Sequence, residues 1–175
     1  MELSVFGIKF TIDTIIAISA FIIALISLGI SVHFWRRSFR PIVTAMVKTH
    51  AAGNMATIFD LEIMNTGSIP AKNIQLKAQQ EGINKALGQD AISDNKRRWL
   101  CCFDEENMIN ILHNNSSVKC SFGHSKEKDQ GFWKYKAKIP ITIEYEGWFG
   151  KRYIQHQDIQ VIDSNSFTGY HWGAE

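Results

Sequence analysis

The chain lacks the sequence motifs that identify common catalytic sites. Its 175 residues contain no nucleophile elbow, no phosphate-binding loop and no H-E-x-x-H pattern, and the six histidines are scattered. The composition, 45% hydrophobic and 21% charged with a net charge of +2, excludes a disordered or collagen-like chain. We therefore expect a globular protein that is not an enzyme, has no catalytic residues and needs no cofactor.

Cysteine is scarce, and the three that occur, Cys101–Cys102 and Cys120, form an odd set. This count favours reduced thiols over the disulfide framework of a secreted domain. The three thiols and His124 could be combined into a zinc site, but adjacent cysteines lack the C-x-x-C spacing of zinc ligands. Cys120 is expected to face a core as a small hydrophobic residue, alternating inward with Val118 and Phe122. We therefore predict no metal site.

Fixed charge is absent from Thr14 to Trp35, a stretch of 22 residues. A helix of this length rises about 33 Å, enough to cross a hydrocarbon layer of roughly 30 Å. A buried core helix would be shorter, and a cleaved signal peptide would begin with basic residues rather than with Met1-Glu2-Leu3. We predict a transmembrane helix over residues 14–35, preceded by an N-terminal segment, 1–13.

Basic residues follow this stretch at once, at Arg36, Arg37 and Arg40, whereas Lys9 is the one basic residue before it. Basic residues are retained on the cytoplasmic side of a membrane. Residues 36–175 are therefore expected in the cytoplasm, beginning with a basic juxtamembrane linker over 36–41.

Small residues recur in the apolar stretch at separations of three and four, with mostly large residues between them. On a helix this spacing forms one stripe, where helix backbones can approach closely and serine can hydrogen-bond across. Small residues are common in membrane helices, so chance is the alternative. We predict a homo-oligomerisation seam formed by Ala17, Ala20, Ala24, Ser27 and Ser31.

Beyond residue 41 the periodicity changes from that of a helix to that of β-strands. Seven short alternating segments with polar turns predict an all-β antiparallel sandwich over residues 42–162. The segment 79–107 is too long for a simple connection, and Asp94 within it could cap a short helix. A tail, 163–175, is expected either to fray or to dock on a neighbour. The predicted strands are 43–47, 57–63, 74–78, 108–112, 116–122, 133–145 and 152–162.

A turn separates the second and third predicted strands, in "LEIMNTGSIPAKNIQLKA". Asn65 can form an Asx-turn, Gly67 tolerates a positive φ, and Pro70 excludes a central strand. This segment resembles a pattern that recurs in immunoglobulin-like sandwiches of bacterial proteins, in which N-x-G and a Pro-Ala pair lead into a strand. One N-terminal anchor, a basic linker and such a sandwich are also similar to small bacterial inner-membrane proteins. The resemblance implies an immunoglobulin-like fold and an inner-membrane location, but no activity.

Cationic and aromatic side chains are mixed at three places. Such mixtures bind phosphates and stack bases, although a solvated strand face lined with lysine is the simpler interpretation of the strand 133–145. Residues 36–175 carry 18 basic and 15 acidic side chains, too even a balance for long nucleic acid. Anionic lipid headgroups or a small anionic ligand fit better. The predicted ligand-binding residues are Lys96, Arg97, Arg98, Trp99, Lys134, Lys136, Lys138, Lys151, Arg152 and Tyr153.

Two functions of different classes are consistent with these patterns. In the first, the sandwich binds a small anionic signal, such as a cyclic nucleotide, and the associated helices perturb the membrane. This organisation is similar to membrane effectors of bacterial antiphage defence, including those of type III CRISPR systems that respond to cyclic oligoadenylates. In the second, the helix tethers a protein-interaction module to the inner leaflet, and a strand edge binds a partner without any ligand.

The basic residues at 36, 37 and 40 predict that the C-terminal end is inside the cell. A single cysteine placed beside Glu175, in a chain without its three native cysteines, should resist a membrane-impermeant thiol reagent on intact cells. It should react after the cells are permeabilised. Reaction on intact cells as efficient as that of an outward-facing control cysteine would contradict the orientation.

Overall fold

The structure, a computed structural model, describes residues 3–5 and 8–163, which fall into two compact units with a boundary between residues 39 and 40. The first unit holds a two-stranded antiparallel pair, β1 (Leu3–Val5) and β2 (Ile8–Phe10), and the helix α1 (Ile12–Ser38). The second unit holds the β-rich domain. Residues 164–175 of the predicted tail, which include Phe167, Tyr170 and Trp172, lie outside the described residues.

The helix α1 has 27 residues and is long and apolar enough to cross a membrane. The side chain of Thr11 caps its start by accepting a hydrogen bond from the backbone N–H of Thr14 at 3.4 Å. Asp13 lies in the first turn and Arg36–Arg37 in the last, where each charge opposes the helix dipole. The helix therefore includes the predicted span, 14–35, and extends beyond it at both ends.

Residues 40–163 of the second unit form seven strands in two antiparallel sheets. One sheet has the order β3-β4-β7 and the other the order β6-β5-β8-β9. This two-sheet arrangement confirms the predicted antiparallel β-rich domain after one N-terminal helix. The strands are β3 (Val43–Ala52), β4 (Thr57–Asn65), β5 (Ala71–Ala78), β6 (Ile109–Leu112), β7 (Ser117–Ser125), β8 (Lys138–Glu146) and β9 (Arg152–Gln160).

The long connection between β5 and β6 contains two short helices, α2 (Gln80–Ala86) and α3 (Ser93–Trp99). A short helix was expected to be capped by Asp94, and this detail is wrong. The helix α3 begins at Ser93, two residues before the start that a cap at Asp94 would give, so Asp94 lies in its first turn, and Ile92 at the cap makes no side-chain hydrogen bond. The carboxylate of Asp94 therefore acts on α3 only through its charge near the N-terminus.

The core lies between the two sheets, because every second residue of the inner strands points inward. On β4 the inward residues Phe59, Leu61 and Ile63 are buried, and on β8 Ile139, Ile141 and Ile143 are buried. Side chains from outside the sheets complete the core. These are chiefly Ile83 and Ala86 of α2, together with Phe132 and Trp133 from the connection between β7 and β8.

The predicted strand over 133–145 is wrong in its first five residues, because β8 begins at Lys138. Lys136 has a φ of +61°, which breaks the alternation of a strand. Trp133 is fully buried and its indole Nε1–H donates to the carbonyl of Phe122. Trp133 therefore fixes this connection to the core, and Lys134, Lys136 and Lys138 do not line one strand face.

The inward alternation predicted for β7 is also only partly right. Phe122 is buried and Cys120 is half-buried, but Val118 is 39% exposed. The strand β7 is at the edge of its sheet, where its inward side chains are shielded from solvent by residues of the β5–β6 connection. Phe103 packs against Phe122 with ring centroids 6.1 Å apart, whereas the start of the strand has no such cover.

Asn65 is fully buried at the end of β4, and its side-chain amide makes four hydrogen bonds. Its oxygen accepts from the backbone N–H of Gly67 at 3.0 Å, which is the predicted Asx-turn, and from that of Ile42 at 3.2 Å. Its nitrogen donates to the carbonyls of Ile69 at 2.8 Å and Leu112 at 3.2 Å. The amide therefore joins the start of β3, the β4–β5 turn and the end of β6.

Gly67 lies directly against the backbone that enters the domain. A Cβ at Gly67 would be 2.4 Å from both the carbonyl oxygen of Arg40 and the nitrogen of Ile42. Gly67 is therefore required for this close approach, and not for the positive φ that was expected of it. We call the end of the domain formed by residues 40–42, 66–70, 113–116 and 147–151 the proximal end, and the opposite end the distal end.

Gln157 of β9 joins the edges of the two sheets. Its side-chain oxygen accepts from the backbone N–H of Ala45 at 3.4 Å, and its nitrogen donates to the carbonyl of Ala45 at 2.5 Å. Nearby, the hydroxyl of Thr49 donates to Asp163 at 2.6 Å. The free edge of β3 is therefore occupied by side chains from the other sheet and from the chain that follows it.

The amide of Asn65 predicts a large loss of stability on substitution. Asn65→Ala should lower the free energy of unfolding by about 3 kcal/mol, because two buried N–H groups and two buried carbonyls lose their partner. This corresponds to a fall of roughly 10 °C in the melting temperature. Differential scanning fluorimetry of the full-length protein in a mild detergent measures it.

Asn84→Ala is the matched control, because Asn84 is exposed on α2 and bonds only to the side chain of Gln80. Its melting temperature should change by less than 2 °C, within about 0.5 kcal/mol. Equal melting temperatures for the two variants would contradict the role given to Asn65.

Candidate functional site

The predicted binding residues do not form one surface. In the register of β8 and β9, Lys138 pairs with Gln160 and Glu146 pairs with Arg152. Eight residue steps separate these pairs, about 26 Å along a strand. Lys151–Tyr153 therefore lie at the proximal end and Lys138 at the distal end.

The first predicted group lies on α3, in the distal half. Lys96, Arg97 and Arg98 are exposed. Trp99 is half-buried, and its ring meets those of His124 and Phe132 edge-on, with centroids 5.3 and 4.8 Å apart. Trp99 therefore holds α3 on the domain, and the three cations are the members of the group that face solvent.

The second predicted group, Lys134–Lys138, has divided roles. Lys134 is half-buried, and its ammonium donates to the carbonyl of Lys85 at 3.1 Å, at the C-terminal turn of α2. The ammonium of Lys136 lies 6.0 Å from the ring centre of Tyr135. Lys138 is exposed at the start of β8. These three lysines therefore have different neighbours at the distal end and do not form one binding group.

A cleft of 490 Å³ opens at the distal end, between the β3–β4 hairpin loop and the connection after β7. Its size lies within the range of small-molecule sites. Sequence reasoning missed this cleft, because neither loop carries a motif; the clustered charges in "SKEKD" were the available signal. The lining residues are Gly53, Asn54, Met55, Ala56, Thr57, Ser125, Lys126, Glu127, Lys128, Asp129 and Tyr135.

The cleft combines charge, hydroxyl groups and an aromatic ring. Lys126 and Lys128 supply two ammonium groups, and Glu127 and Asp129 supply two carboxylates. Lys128 and Asp129 have φ of +55° and +59°, a strained backbone that is enriched at functional sites. The ring of Tyr135 lies at the wall. Such a lining suits a ligand with an anionic group, a ring and hydrogen-bond donors better than it suits a bare anion.

The third predicted group, at the proximal end, is partly engaged in structural contacts. The ring of Tyr153 stacks on that of Tyr145 with centroids 5.4 Å apart, and the ammonium of Lys151 lies 5.3 Å from the centre of Tyr153. Arg152 is paired with Glu146, with 3.2 Å between Nε and Oε1. Lys151 and Arg152 are both exposed.

Two of the three thiols, those of Cys102 and Cys120, interact with each other. The hydrogen bond between them raises the pKa of Cys102 and lowers the pKa of Cys120. Burial, with Lys126 adding to it, lowers the pKa of His124, whose Nε2 lies 3.4 Å from Asp90. Within residues 3–5 and 8–163, no three His, Cys, Asp or Glu side chains lie close enough together to hold a metal ion.

One buried carboxylate lies on the outer face of the three-stranded sheet. Glu62 contacts the ammonium of Lys48 at 2.5 Å, and Lys119 lies 3.9 Å from its other oxygen. The hydrogen bond from Lys48, followed by one from Ser117, lowers the pKa of Glu62. The carboxylate is thus neutralised by its own sheet, which gives it a structural role.

Comparison with known proteins identifies the family but adds no further relative. No curated protein and no solved structure matches the chain. Residues 6–168 match the family described as "Domain of unknown function (DUF8453)". This match spans the apolar helix and the β-rich domain together. The chain belongs to this DUF8453 family.

Proposed function

We propose that this protein is a membrane-anchored, self-associating effector whose β-rich domain binds a small anionic ligand at the distal end. The distal cleft of 490 Å³ is the observation that carries the proposal. Its two lysines can meet a phosphate, and its hydroxyl groups, carboxylates and tyrosine can meet the sugar and base of a nucleotide. The predicted cations of α3 and Lys136–Lys138 lie in the same half and would raise the local concentration of an anion.

We further propose that the domain is an immunoglobulin-like sandwich. In immunoglobulin constant domains, strands one, two, four and five form one sheet and strands three, six and seven form the other. The order here is the same except that the fourth strand, β6, has moved beside the third, β5. The Asx-turn at Asn65 between the second and third strands supports the same assignment.

In the proposed orientation, the domain lies in the bacterial cytoplasm and α1 crosses the inner membrane. The cations at the C-terminal end of α1 support it, since basic residues are retained inside. Three free cysteines are also compatible with a reducing compartment.

Self-association of α1 would connect ligand binding to the membrane. The helix is continuous, so the five small residues of the seam fall within about 80° of one face at 100° per residue. Binding in the cytoplasm would change how the domains pack together, and the helices would rearrange with them. Membrane effectors of antiphage defence are the class of protein to which this organisation is similar.

The runner-up is a tethered protein-interaction module without a ligand. Strand β6 supports it, because β6 is an edge of its sheet and its Ile111 is 46% exposed. A partner strand could add there by backbone pairing. The edge of β3, by contrast, is already occupied by Gln157.

Ligand binding should raise the melting temperature of the full-length protein in detergent, because a ligand that binds only the native state stabilises it. Inorganic phosphate, ATP, cyclic di-AMP and a cyclic oligoadenylate form the panel. At one hundred times its Kd, a ligand adds about 2.7 kcal/mol, which is several degrees. We expect a shift with at least one nucleotide and none with phosphate alone.

Two double variants locate the site. The first combines Lys126→Gln and Tyr135→Phe and alters the distal cleft. The second combines Arg97→Gln and Arg98→Gln and alters the exposed face of α3. The cleft pair should abolish the shift, and the α3 pair should reduce it without changing the melting temperature of the free protein. No shift with any member of the panel would favour the tethered module.

Self-association should be sensitive to the size of the side chains in the seam. Ala20→Leu and Ala24→Leu should disrupt self-association, because leucine forces the helix backbones apart. Ile22→Leu and Leu25→Ile, which lie off the seam and keep side-chain volume, should have no effect. All four variants stay apolar enough to insert into a membrane. Native mass spectrometry in detergent measures the oligomers, and equal populations in all four variants would contradict the seam.

A further inference from the structure

A cross-strand row at the proximal end combines exposed apolar and cationic side chains. Lys72 of β5 pairs with Ile111 of β6 on one side and with Glu146 of β8 on the other, and Glu146 pairs with Arg152 of β9. The turn that joins β8 and β9 adds Trp148, whose ring centre lies 5.7 Å from the ammonium of Lys72. We call Lys72, Ile111, Trp148, Lys151 and Arg152 the proximal patch.

The proximal patch is amphipathic and exposed. Trp148 is 54% exposed and Ile111 is 46% exposed, and the three basic residues are also exposed. Glu146 is the one carboxylate among them, and it is engaged by Arg152 at 3.2 Å and by the amide of Asn73 at 3.0 Å. The patch therefore offers two apolar side chains and a surplus of positive charge.

The loops of the proximal end carry no acidic residue. Residues 40–42, 66–70, 113–116 and 147–151 contain Arg40 and Lys151 but neither Asp nor Glu. Residues 79–107 and 126–137 carry eight acidic and eight basic side chains, so their formal charge is zero, whereas the proximal loops carry a formal charge of +2. The proximal loops are therefore the more basic, as expected of a surface that faces anionic headgroups.

The length of chain between α1 and the domain limits where the proximal end can go. Only residues 36–40 separate Trp35, the last residue of the predicted span, from Pro41. The six residue steps from Trp35 to Pro41 reach at most about 22 Å when fully extended. Pro41 packs beside the β8–β9 turn, since a Cβ at Gly147 would lie 3.1 Å from its Cδ. When α1 spans a membrane, the neighbours of Trp148 are therefore tethered close to the headgroups.

We propose that the proximal patch docks on the anionic surface of the membrane, with Trp148 and Ile111 in the headgroup region and Lys72, Lys151 and Arg152 on lipid phosphates. Tryptophan prefers this interface, because its ring is apolar and its N–H can remain hydrated. Each lysine or arginine beside an anionic leaflet adds to the attraction. This inference rests on the membrane-spanning role proposed for α1.

Photocrosslinking in a bilayer tests the docking. The full-length protein is placed in nanodiscs of phosphatidylcholine with 30% phosphatidylglycerol, with benzoylphenylalanine at position 148 or, in a second variant, at position 111. The control carries the same group at Tyr135, which is 40% exposed at the distal end. Lipid adducts, measured by intact mass, should be at least fivefold more abundant at positions 148 and 111 than at 135.

A second experiment varies the charge of the proximal patch and the lipid composition of the nanodiscs. Lys151→Gln should lower the ratio of docked to undocked protein about fivefold in anionic nanodiscs, and should have little effect in pure phosphatidylcholine. Lys128→Gln, at the distal end, should have no effect in either. Melting temperatures confirm that each variant is folded.

Three outcomes would overturn the docking. These are equal lipid adducts at 148 and 135, adducts of 148 with a second copy of the chain in place of lipid, or adducts that do not depend on anionic lipid. Retention of the protein in the membrane pellet at alkaline pH is measured in parallel. Loss from the pellet contradicts the membrane-spanning role itself, whereas retention without lipid adducts contradicts only the docking.

Discussion

The side-chain amide of Asn65 is the contact on which the proximal end depends. One buried group satisfies backbone atoms from three places that are far apart in the chain, at Ile42, Leu112 and the Gly67–Ile69 turn. Only the amides of Asn and Gln offer two acceptor and two donor positions in one uncharged group, and Asn is the shorter of the two. With the amide in place, Gly67 can lie against the incoming backbone, and Pro41 can pack beside the β8–β9 turn. A single buried residue thus ties together three segments at the end of the domain that carries the proximal patch.

An aromatic cluster has the corresponding role at the distal end. Trp133 is stacked on Phe122 and lies edge-on to Phe132, with ring centroids 4.8 and 4.7 Å apart. Trp99 adds α3 to this cluster. One wall of the cleft is formed by residues 125–129, which lie between Phe122 and Phe132 in the chain. Because both of these rings are buried, the core holds this wall in place. The two ends of the domain are consequently built in different ways, one from hydrogen bonds and one from rings, and each carries its own candidate surface.

The sequence predicted the elements better than it predicted the surfaces. Alternation located β3 and β4 because each has one buried face, and Asn65 was recognised because an Asx-turn involves residues only two positions apart. The strand prediction failed at 133–137, where apolar and polar residues still alternate in the sequence but Lys136 adopts a left-handed backbone. The distal cleft was not predicted, because its two main walls are loops about 70 residues apart in the chain, which are brought together where β4 pairs with β7 at Thr57 and Ser125. Local patterns carry no information about such a meeting.

The bond between Gln157 and Ala45 also has a consequence for synthesis on the ribosome. The two residues are 112 positions apart, and a bacterial or eukaryotic ribosome adds about 5 to 20 residues each second. The edge of β3 therefore stays open for about 6 to 22 s after it emerges, while α1, made earlier, is already available for insertion. During that time the nascent sheet holds an unpaired strand edge, which is open to pairing with another chain until Gln157 has been made.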